Sequence, residues 1–206
     1  MKHLIVVAHP VVDSFTMGVA RAYATELEAL GHSQVTFDLY RSRFDPVLAA
    51  HELLGSASEQ AAAADVERAQ RAIRDADVLT AIYPLWWLSM PAIMKGYVDR
   101  VFARGFAYEA HEGIVRGLLS GKRAVLVTVS GAPLPTLVRS GGWNAVQMLQ
   151  DTHVFRSVGF ELLEHLHFDQ IVPGVSKTAV ERHLERVRVC VRDLFPSRVV
   201  IAGEVP

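Results

Sequence analysis

Hydrophobic and polar residues alternate along the chain in blocks that predict strands and helices in turn. Short runs rich in β-branched residues, bounded by polar residues, are typical of strands buried on both faces of a sheet. Such strands are predicted at residues 4–8, 35–39, 78–83, 124–129 and 160–168. Apolar residues at helical spacing predict helices at residues 15–30, 58–73, 93–102, 143–155 and 178–194. This order predicts an α/β protein with a doubly wound parallel sheet.

Local signals mark where three of the helices begin or end. Gly31 is predicted to end the first helix, because glycine readily adopts the left-handed conformation that closes a helix. Pro91 precedes the third predicted helix, in keeping with the preference of proline for a first turn. Thr178 and Glu181 have the spacing of a capping box, which predicts the beginning of the last helix.

Neither a repeat nor a low-complexity linker divides the sequence. We therefore expect one domain, residues 1–195, followed by a tail, residues 196–206. Residues 40–57 and 104–122 are longer connections than such a sheet needs. Long connections in these domains tend to carry function or subunit contacts, so both segments are candidates for such roles.

Composition narrows the classes of function. The chain has 206 residues, with 21 Lys+Arg against 22 Asp+Glu and a formal net charge of −1. Nucleic-acid binding rests on an excess of basic residues, so nucleic acid is not an expected partner. The single cysteine, Cys190, cannot form an intramolecular disulfide or a thiolate metal cluster, which favours a reducing compartment.

Targeting and membrane-spanning segments are not expected either. His9 and Pro10 interrupt the first apolar run, which is too short for a signal peptide. The longest apolar stretch, residues 81–94, contains two prolines and is shorter than the roughly 20 residues that cross a bilayer. We expect a cytoplasmic protein with no membrane span.

Several common active-site motifs are missing from the sequence. It has no dinucleotide-binding G-x-G-x-x-G, no phosphate loop ending in G-K-[ST] and no G-x-S-x-G. Cys190 falls in the last predicted helix, away from any phosphate loop. His165 and His167 alternate on the fifth strand and share a face, where they suit a metal or a hydrogen-bonded core. Because a third ligand is not evident, hydrogen-bonded histidines are the favoured interpretation and no metal is expected.

The first loop at the carboxyl edge of the predicted sheet, residues 9–16, is a candidate anion site. Ligands of open α/β sheets bind outside the carboxyl ends of the strands. Ser14 and Thr16 stand at a helix N-terminus, where free N–H groups and the helix dipole favour a phosphate. His9 would add a hydrogen bond or a positive charge. In the alternative interpretation, Ser14 only caps the helix and His9 is a turn residue.

The second loop, residues 84–90, contains two adjacent tryptophans between prolines. Trp86 and Trp87 cannot both face one core. A planar aromatic ligand would give them a partner, and so would a dimer interface, where tryptophan is enriched. The third loop, residues 130–136, begins with small residues that let a ligand approach backbone N–H groups. On its own the third loop is a weak signal.

Three stretches of the sequence resemble the flavodoxin-like NAD(P)H:quinone oxidoreductase family. They are residues 83–87 (Tyr-Pro-Leu-Trp-Trp), residues 90–102 and residues 105–108 (Gly-Phe-Ala-Tyr). The resemblance covers most of residues 1–195. It implies a flavodoxin-like three-layer sandwich whose five parallel strands follow the order 2-1-3-4-5.

The same resemblance implies roles for residues in all three loops. Those implied to hold the flavin phosphate and ribityl chain are His9, Ser14, Phe15 and Thr16. Those implied to line the isoalloxazine edge are Pro84, Leu85, Trp86, Trp87 and Leu88. Those implied to approach its N1 and O2 atoms are Ser130, Gly131 and Ala132. The residues implied to take part in catalysis are Trp87, Gly131 and Tyr108, with Tyr108 and Phe106 supplied by a partner subunit.

A homodimer with two interfacial active sites and a bound flavin is the implied assembly. FAD is slightly favoured over FMN, with NADH or NADPH as hydride donor and a quinone-type acceptor in a ping-pong reaction. The sequence departs from mammalian members of the family at one point. They carry a Tyr and a His after the third loop as a proposed relay, and residues 133–143 have neither.

Two other functions remain open on the sequence alone. One is a flavin-binding regulatory or interaction subunit with little turnover of its own. The other is a one-electron carrier, which the near-zero net charge and aromatic-rich loop disfavour. One fold hosts all of these roles.

Overall fold

A computed structural model describes residues 1–54 and 63–197. Within these residues the strands are β1 (Lys2–Val7), β2 (Ser33–Asp38), β3 (Val78–Pro84), β4 (Tyr108–His111), β5 (Ile114–Gly117), β6 (Arg123–Val129) and β7 (Glu161–Phe168). Five of them form one parallel sheet in the order β2-β1-β3-β6-β7. Without the hairpin strands β4 and β5, this is the predicted order 2-1-3-4-5, which is confirmed.

Helices cover both faces of the sheet and complete three layers. In chain order they are α1 (Phe15–Ala29), α2 (Ala50–Leu54), α3 (Ala64–Asp75), α4 (Ala92–Val101), α5 (Leu134–Arg139), α6 (Gly142–Val146), a π-helix (Gln147–Arg156) and α7 (Lys177–Leu194). One apolar layer joins α1 and α7 to the sheet. The other joins α3, α4 and the π-helix to the opposite face. Successive side chains of each strand point to opposite faces of the sheet and therefore pack in two separate cores.

The helix predicted at residues 143–155 is observed, and most of it is a π-helix. Gly142–Val146 is α-helical, and Gln147–Arg156 forms the π-helix. The buried side chains of the π-helix are Gln150, Asp151 and Phe155, and Gln150 and Phe155 are five residues apart, in keeping with i→i+5 hydrogen bonding. The sequence therefore predicted a helix here without indicating its kind.

A hairpin occupies part of the long connection 104–122 and was not predicted. Glu112 and Gly113 have φ values of 51° and 80°, which is the turn geometry that suits a two-residue hairpin. Gly117 allows the hairpin to dock, since a Cβ there would lie 2.3 Å from the backbone of Val158. The hairpin strands are only four residues long, which is why hydrophobic alternation did not reveal them.

Two helix starts also differ from the prediction. The last helix is capped by Ser176, whose hydroxyl accepts a hydrogen bond from Ala179 N–H, so the capping box at Thr178 is wrong. The helix predicted at 58–73 is observed as α3, and residues 58–62 lie outside the described part of the chain. Residues 198–206 of the predicted tail lie outside it as well. Gly31 ends α1 with a φ of 77°, as predicted.

Within the other long connection, residues 40–57, the structure describes residues 40–54, and Arg100 of α4 bonds this part to the rest of the protein. The guanidinium of Arg100 bonds the carboxylates of Glu52 and Asp65 at 2.7–3.2 Å and the carbonyl of Asp45 at 2.6 Å. Its side chain is 5% exposed. Hydrogen bonding to Arg100 holds the pKa of both carboxyls below their usual range, against the opposing effect of burial. Both carboxylates are therefore charged partners of the arginine.

Candidate functional site

The three predicted loops lie together at the carboxyl edge of the sheet. Backbone bonds tie each loop to the neighbouring strand, from Ala8 N–H to Ile82 O, Leu85 N–H to Val129 O and Ser130 N–H to Phe168 O. The chain runs outward from β1 in both directions, to β2 on one side and to β3 on the other. Such a switch point opens a crevice between the loops that follow β1 and β3.

Ser14 caps α1 in the first loop. Its hydroxyl oxygen accepts a 3.3 Å hydrogen bond from Met17 N–H. The N–H groups of Phe15 and Thr16 lie in the same first turn, where an α-helix offers no internal acceptor. Capping and anion binding are therefore compatible at this helix start. Among the described residues, the Ser14 hydroxyl bonds only the Met17 N–H, and the N–H groups of Phe15 and Thr16 remain available to an anion.

The His9 ring turns back onto the first loop. Its Nδ1 lies 3.1 Å from Val11 N and 3.2 Å from Val11 O, and its Nε2 has no hydrogen-bond partner among the described residues. Burial, and to a lesser extent the nearby Arg41, lowers the pKa of His9. A lowered pKa favours the neutral ring, so a hydrogen bond to a ligand fits His9 better than a positive charge does.

Two arginines, Arg41 and Arg21, donate hydrogen bonds to the first loop, and neither was predicted from the sequence. Arg41 donates to the carbonyls of His9 at 2.5 Å and Pro10 at 2.8 Å. Arg21 donates to Val12 O at 3.1 Å. Positive charge therefore reaches this loop from the segment after β2 and from α1. Only a prediction of long-range contacts would have found it, because Arg41 is 32 residues away from His9 in the sequence.

The second loop is a tight turn. Trp86 and Ser89 exchange two backbone hydrogen bonds of 3.0 Å, and Trp87 and Leu88 between them have φ values of 54° and 60°. Positive φ at both central positions defines a type I′ turn, which is costly for bulky side chains and is found where function requires it. In the described structure the N–H groups of Trp87 and Leu88 have no protein acceptor.

The turn leaves the Trp87 side chain fully exposed, at 100% of its accessible area. Trp86 is 41% exposed and its ring lies 6.2 Å from that of His9, which joins the first two loops. Neither tryptophan belongs to a core, as the sequence predicted. Pro84 and Leu85 are buried below them and fix the base of the turn.

The π-helix holds the second loop in place through Gln150. The amide of Gln150 donates to Leu88 O at 3.4 Å and accepts at 2.6 Å from the hydroxyl of Tyr83. Burial raises the pKa of Tyr83 far above its usual range, so this hydroxyl keeps its proton. Sequence reasoning missed Gln150, since a glutamine in a helical segment carries no local signal of burial.

The third loop is built around Ser130. Its hydroxyl donates to Ala132 O at 2.8 Å, and its carbonyl accepts from Ile171 N–H at 3.0 Å. A Cβ at Gly131 would lie 3.3 Å from Val172 Cγ1, so a larger residue would require a small shift of the Val172 side chain. Gly131 and Ala132 are exposed, and their N–H groups bond no acceptor within the described residues.

Tyr108 and Phe106 lie away from the three loops of their own chain. Phe106 packs under Arg74, whose guanidinium carbon is 4.9 Å from the ring centre. Arg74 lies in the last turn of α3, shortly before β3 begins, so this region belongs to the amino edge of the sheet. One chain therefore does not bring Tyr108 to the predicted loops, and the catalytic role expected for Tyr108 stays a prediction that requires a partner subunit.

His165 and His167 are hydrogen-bonded, as favoured from the sequence. Thr128 Oγ1 lies 2.8 Å from His165 Nε2 and 2.8 Å from His167 Nδ1. Among the described residues there is no group of three or more His, Cys, Asp or Glu arranged to hold a metal ion. The same part of the chain contains no helix both long and apolar enough to cross a bilayer.

The fold is that of a flavodoxin-like protein, with three loops grouped at the carboxyl edge of its parallel sheet. The family model described as flavodoxin-like fold matches residues 1–190. An uncharacterized NAD(P)H oxidoreductase of Haemophilus influenzae is 34% identical, over 83% of this chain and 85% of that protein. Mouse ribosyldihydronicotinamide dehydrogenase [quinone] is 31% identical, over 68% of each chain.

Solved structures agree with these relatives. The NAD(P)H:quinone oxidoreductase of Methanothermobacter marburgensis superposes with a TM-score of 0.85 at 30% identity, covering 94% of this chain and 98% of that one. This chain belongs to the flavodoxin-like NAD(P)H:quinone oxidoreductase family. The resemblance predicted from residues 83–108 and the fold class that it implied are confirmed.

Proposed function

We propose that this chain binds a flavin in the three loops and uses it to transfer hydride from NAD(P)H to quinones or similar small acceptors. Four N–H groups of exposed residues, those of Trp87, Leu88, Gly131 and Ala132, bond no acceptor within the described residues and carry the proposal. They belong to two loops on neighbouring strands of one sheet edge, beside a fully exposed tryptophan. A planar ring with several acceptor atoms along its edge suits this donor set.

The first loop suits the phosphate and ribityl end of the flavin. Ser14, Phe15 and Thr16 supply the helix N-terminus, and His9 supplies a ring nitrogen, Nε2, that has no partner among the described residues. Arg41 adds a positive charge beside them. Anions are favoured at such a position by both the free N–H groups and the helix dipole.

The second and third loops suit the isoalloxazine ring. Pro84, Leu85, Trp86, Trp87 and Leu88 line one edge, where the type I′ turn presents two donors. Ser130, Gly131 and Ala132 line the other, where small side chains allow close approach. N–H groups fixed in advance stabilise negative charge without reorganisation, which is the role assigned to Trp87 and Gly131 in catalysis.

When bound, a flavin accepts and returns the two electrons, which is chemistry that no side chain here supplies. The protein orients the reactants and excludes water. NAD(P)H and the acceptor would use one pocket in turn, which predicts a ping-pong reaction. The loops account for the phosphate and ring shared by FMN and FAD, and the family resemblance slightly favours FAD.

A homodimer would complete the pocket. Tyr108 and Phe106 lie at the edge opposite their own loops, so a partner subunit must bring its copies to cover the ring. Exposed apolar side chains near the second loop offer a surface for such contact, among them Val138, Met148 and Leu149. An interface that supplies part of the site would explain why Trp87 has no cover within one chain.

The test is to purify the protein, release its ligand by denaturation and identify the flavin by chromatography. Steady-state rates with NADH, NADPH and menadione then test the reaction. We expect bound flavin and parallel lines in double-reciprocal plots. Protein that cannot be reconstituted with FMN or FAD would refute the proposal, and bound flavin with negligible turnover would favour a regulatory subunit.

A further inference from the structure

Buried polar side chains form a continuous hydrogen-bonded series from the π-helix to the third loop. It crosses β6 and β7, and its five contacts measure 2.7–3.1 Å. We call it the histidine chain. Its members, in order, are Asp151, His165, Thr128, His167 and Ser130, and it ends on the carbonyl oxygen of Ala132.

The contacts of the histidine chain follow one another atom by atom. Asp151 Oδ1 lies 2.7 Å from His165 Nδ1, and His165 Nε2 lies 2.8 Å from Thr128 Oγ1. The same hydroxyl lies 2.8 Å from His167 Nδ1. His167 Nε2 lies 3.1 Å from Ser130 Oγ, which is 2.8 Å from the carbonyl at the end. Each member therefore contacts the next one and the previous one.

Solvent reaches the histidine chain only at its two ends. The side chain of His165 is 4% exposed, and that of Asp151 is 11% exposed. The indole of Trp143 covers both histidines, with ring centres 5.0 Å from His165 and 4.7 Å from His167. Gly131 and Ala132, at the other end, lie in the exposed third loop. Water can replace a missing partner at that loop and not in the middle of the chain.

The number of hydrogens in the chain does not match the number of contacts. A hydroxyl has one hydrogen, a neutral imidazole has one and a carboxylate has none. Two hydroxyls and two neutral imidazoles therefore supply four hydrogens for five contacts. One added proton allows all five contacts to be hydrogen bonds at once.

The added proton belongs at the Asp151 end. Burial, and then the neighbouring His165, lowers the pKa of His167 to about 4, although Asp169 opposes this and Arg186 of α7 adds to it. Asp151 faces His165 from the π-helix, and Glu164 accepts a hydrogen bond from the His165 backbone. Two carboxylates, those of Asp151 and Glu164, therefore lie beside His165, whereas His167 has both a carboxylate (Asp169) and a cation (Arg186) near it.

Loss of the added proton would reverse every hydrogen bond in the middle of the chain. Thr128 would turn its hydroxyl to His165 Nε2, and His167 would move its hydrogen from Nε2 to Nδ1. Ser130 would then turn its hydroxyl from the Ala132 carbonyl to His167 Nε2. The hydrogen bond to the Ala132 carbonyl would break, and this exposed position is where water replaces the hydroxyl at least cost.

We propose that the histidine chain holds one exchangeable proton shared by Asp151 and His165, and that its presence sets the hydroxyl orientation of Ser130 in the third loop. The proton is taken from water and returned to it, and no other bond forms or breaks. Asp151, His165, Thr128 and His167 are positioning residues for the N–H groups of Gly131 and Ala132.

A consequence for the flavin rests on the proposed function. Negative charge at the Gly131 and Ala132 N–H groups would favour the protonated chain, and the protonated chain would favour negative charge there, because linkage is reciprocal. The histidine chain would thereby take the place of the Tyr and His that mammalian members of the family carry after the third loop. The charge would be balanced from beneath the loop, by β7, and not from the segment that follows it.

Thr128 offers the variants that test the proposal. Thr128→Val removes the bridging hydroxyl with little change in shape, and Thr128→Ser keeps it. Thr80→Val is the matched control, because Thr80 is an equally buried strand threonine whose hydroxyl bonds Tyr23 at 3.0 Å, outside the histidine chain. If replacing a buried strand threonine with valine is enough to unfold the protein, Thr80→Val will unfold as well as Thr128→Val.

The measurement is nitrogen NMR of the histidine rings across a pH titration, made on the purified protein both with and without added flavin. We expect His165 to carry two ring hydrogens on the acid side and to lose one in a single step. In that step His167 should change from the Nε2–H to the Nδ1–H tautomer. The change should persist in Thr128→Ser and Thr80→Val and vanish in Thr128→Val. A single His167 tautomer throughout the titration of the native protein would overturn the proposal.

The midpoint potential of the bound flavin, measured against pH, tests the consequence separately. Its slope should change at the pH of the tautomer switch, in the native protein and in Thr80→Val but not in Thr128→Val. A slope of midpoint potential against pH that stays constant through the tautomer switch would refute the coupling to the flavin. Failure of the protein to bind any flavin would refute the proposed function, and the ring-nitrogen measurement would still decide whether the chain switches.

Discussion

Two buried polar clusters on the same face of the sheet differ in how completely their hydrogen bonds are matched. Arg100 has five N–H groups, and the carboxylates of Glu52 and Asp65 together with the Asp45 carbonyl accept all of them. The histidine chain has one contact more than its neutral members have hydrogens. The matched cluster fastens helices, and the unmatched one can change state beside the ligand loops.

Removing the centre of the matched cluster should have the largest effect on stability. Arg100→Ala leaves the carboxylates of Glu52 and Asp65 without their cation, and breaking a buried pair costs about 3–5 kcal/mol. Urea unfolding measures the loss. Arg71→Ala is the control, since its pair with Glu67 is exposed and such pairs contribute at most about 0.5 kcal/mol. Equal losses in the two variants would contradict the structural role of Arg100.

His3 is a third buried polar group, and it differs from the two clusters in having no hydrogen-bond partners for its side chain within the described part of the chain. Neither of its ring nitrogens has a hydrogen-bond partner among the described residues. Burial lowers the pKa of His3 to about 4, as it does for His167. The unfolded chain would take up these protons near the ordinary value of 6.5, well before the folded protein does.

Stability should therefore fall as the pH drops from about 6.5 to about 4, because the unfolded state binds more protons in that range. Each histidine contributes up to about 1.4 kcal/mol per pH unit. Unfolding in urea at several pH values measures the slope. His3→Phe should remove about half of the histidine contribution, and a stability that stays level through this range would contradict the burial of neutral imidazoles.

Two serine caps separate stability from binding. Ser14 and Ser176 both accept a hydrogen bond from the N–H three residues on, at the starts of α1 and α7. Replacing either with alanine should cost about 1 kcal/mol in the free energy of unfolding. Only Ser14→Ala should also weaken flavin binding, because Ser14 belongs to the proposed phosphate loop and Ser176 does not. Equal flavin affinity in both variants would show that the first loop is not part of the flavin site.

The predictable part of the molecule is the part that repeats a pattern. Buried strands and amphipathic helices leave regular apolar spacing, so the sheet and its order could be predicted from the sequence. The hairpin 108–117 and the π-helix could not, since short strands and a helix of different period leave little or misleading spacing. Trp86 and Trp87 were found because bulky aromatic residues between prolines have no place in a core.

The missed residues act through contacts between distant parts of the sequence. Arg41 reaches the first loop from beyond β2, and Gln150 reaches the second loop from the π-helix. His165 and His167 were correctly predicted to be hydrogen-bonded, but their link to Ser130 depends on the pairing of β6 with β7. Sequence alone predicts which loops meet and not which side chains support them.

Flavin binding by the Trp87→Ala variant tests the central claim most directly. The Trp87 side chain is fully exposed, so its loss should change the free energy of unfolding by less than about 0.5 kcal/mol. If it contacts the flavin, the dissociation constant, measured by fluorescence titration, should rise by roughly three- to tenfold, as expected for an aromatic contact. Unchanged affinity for both FMN and FAD would contradict a flavin site at this turn.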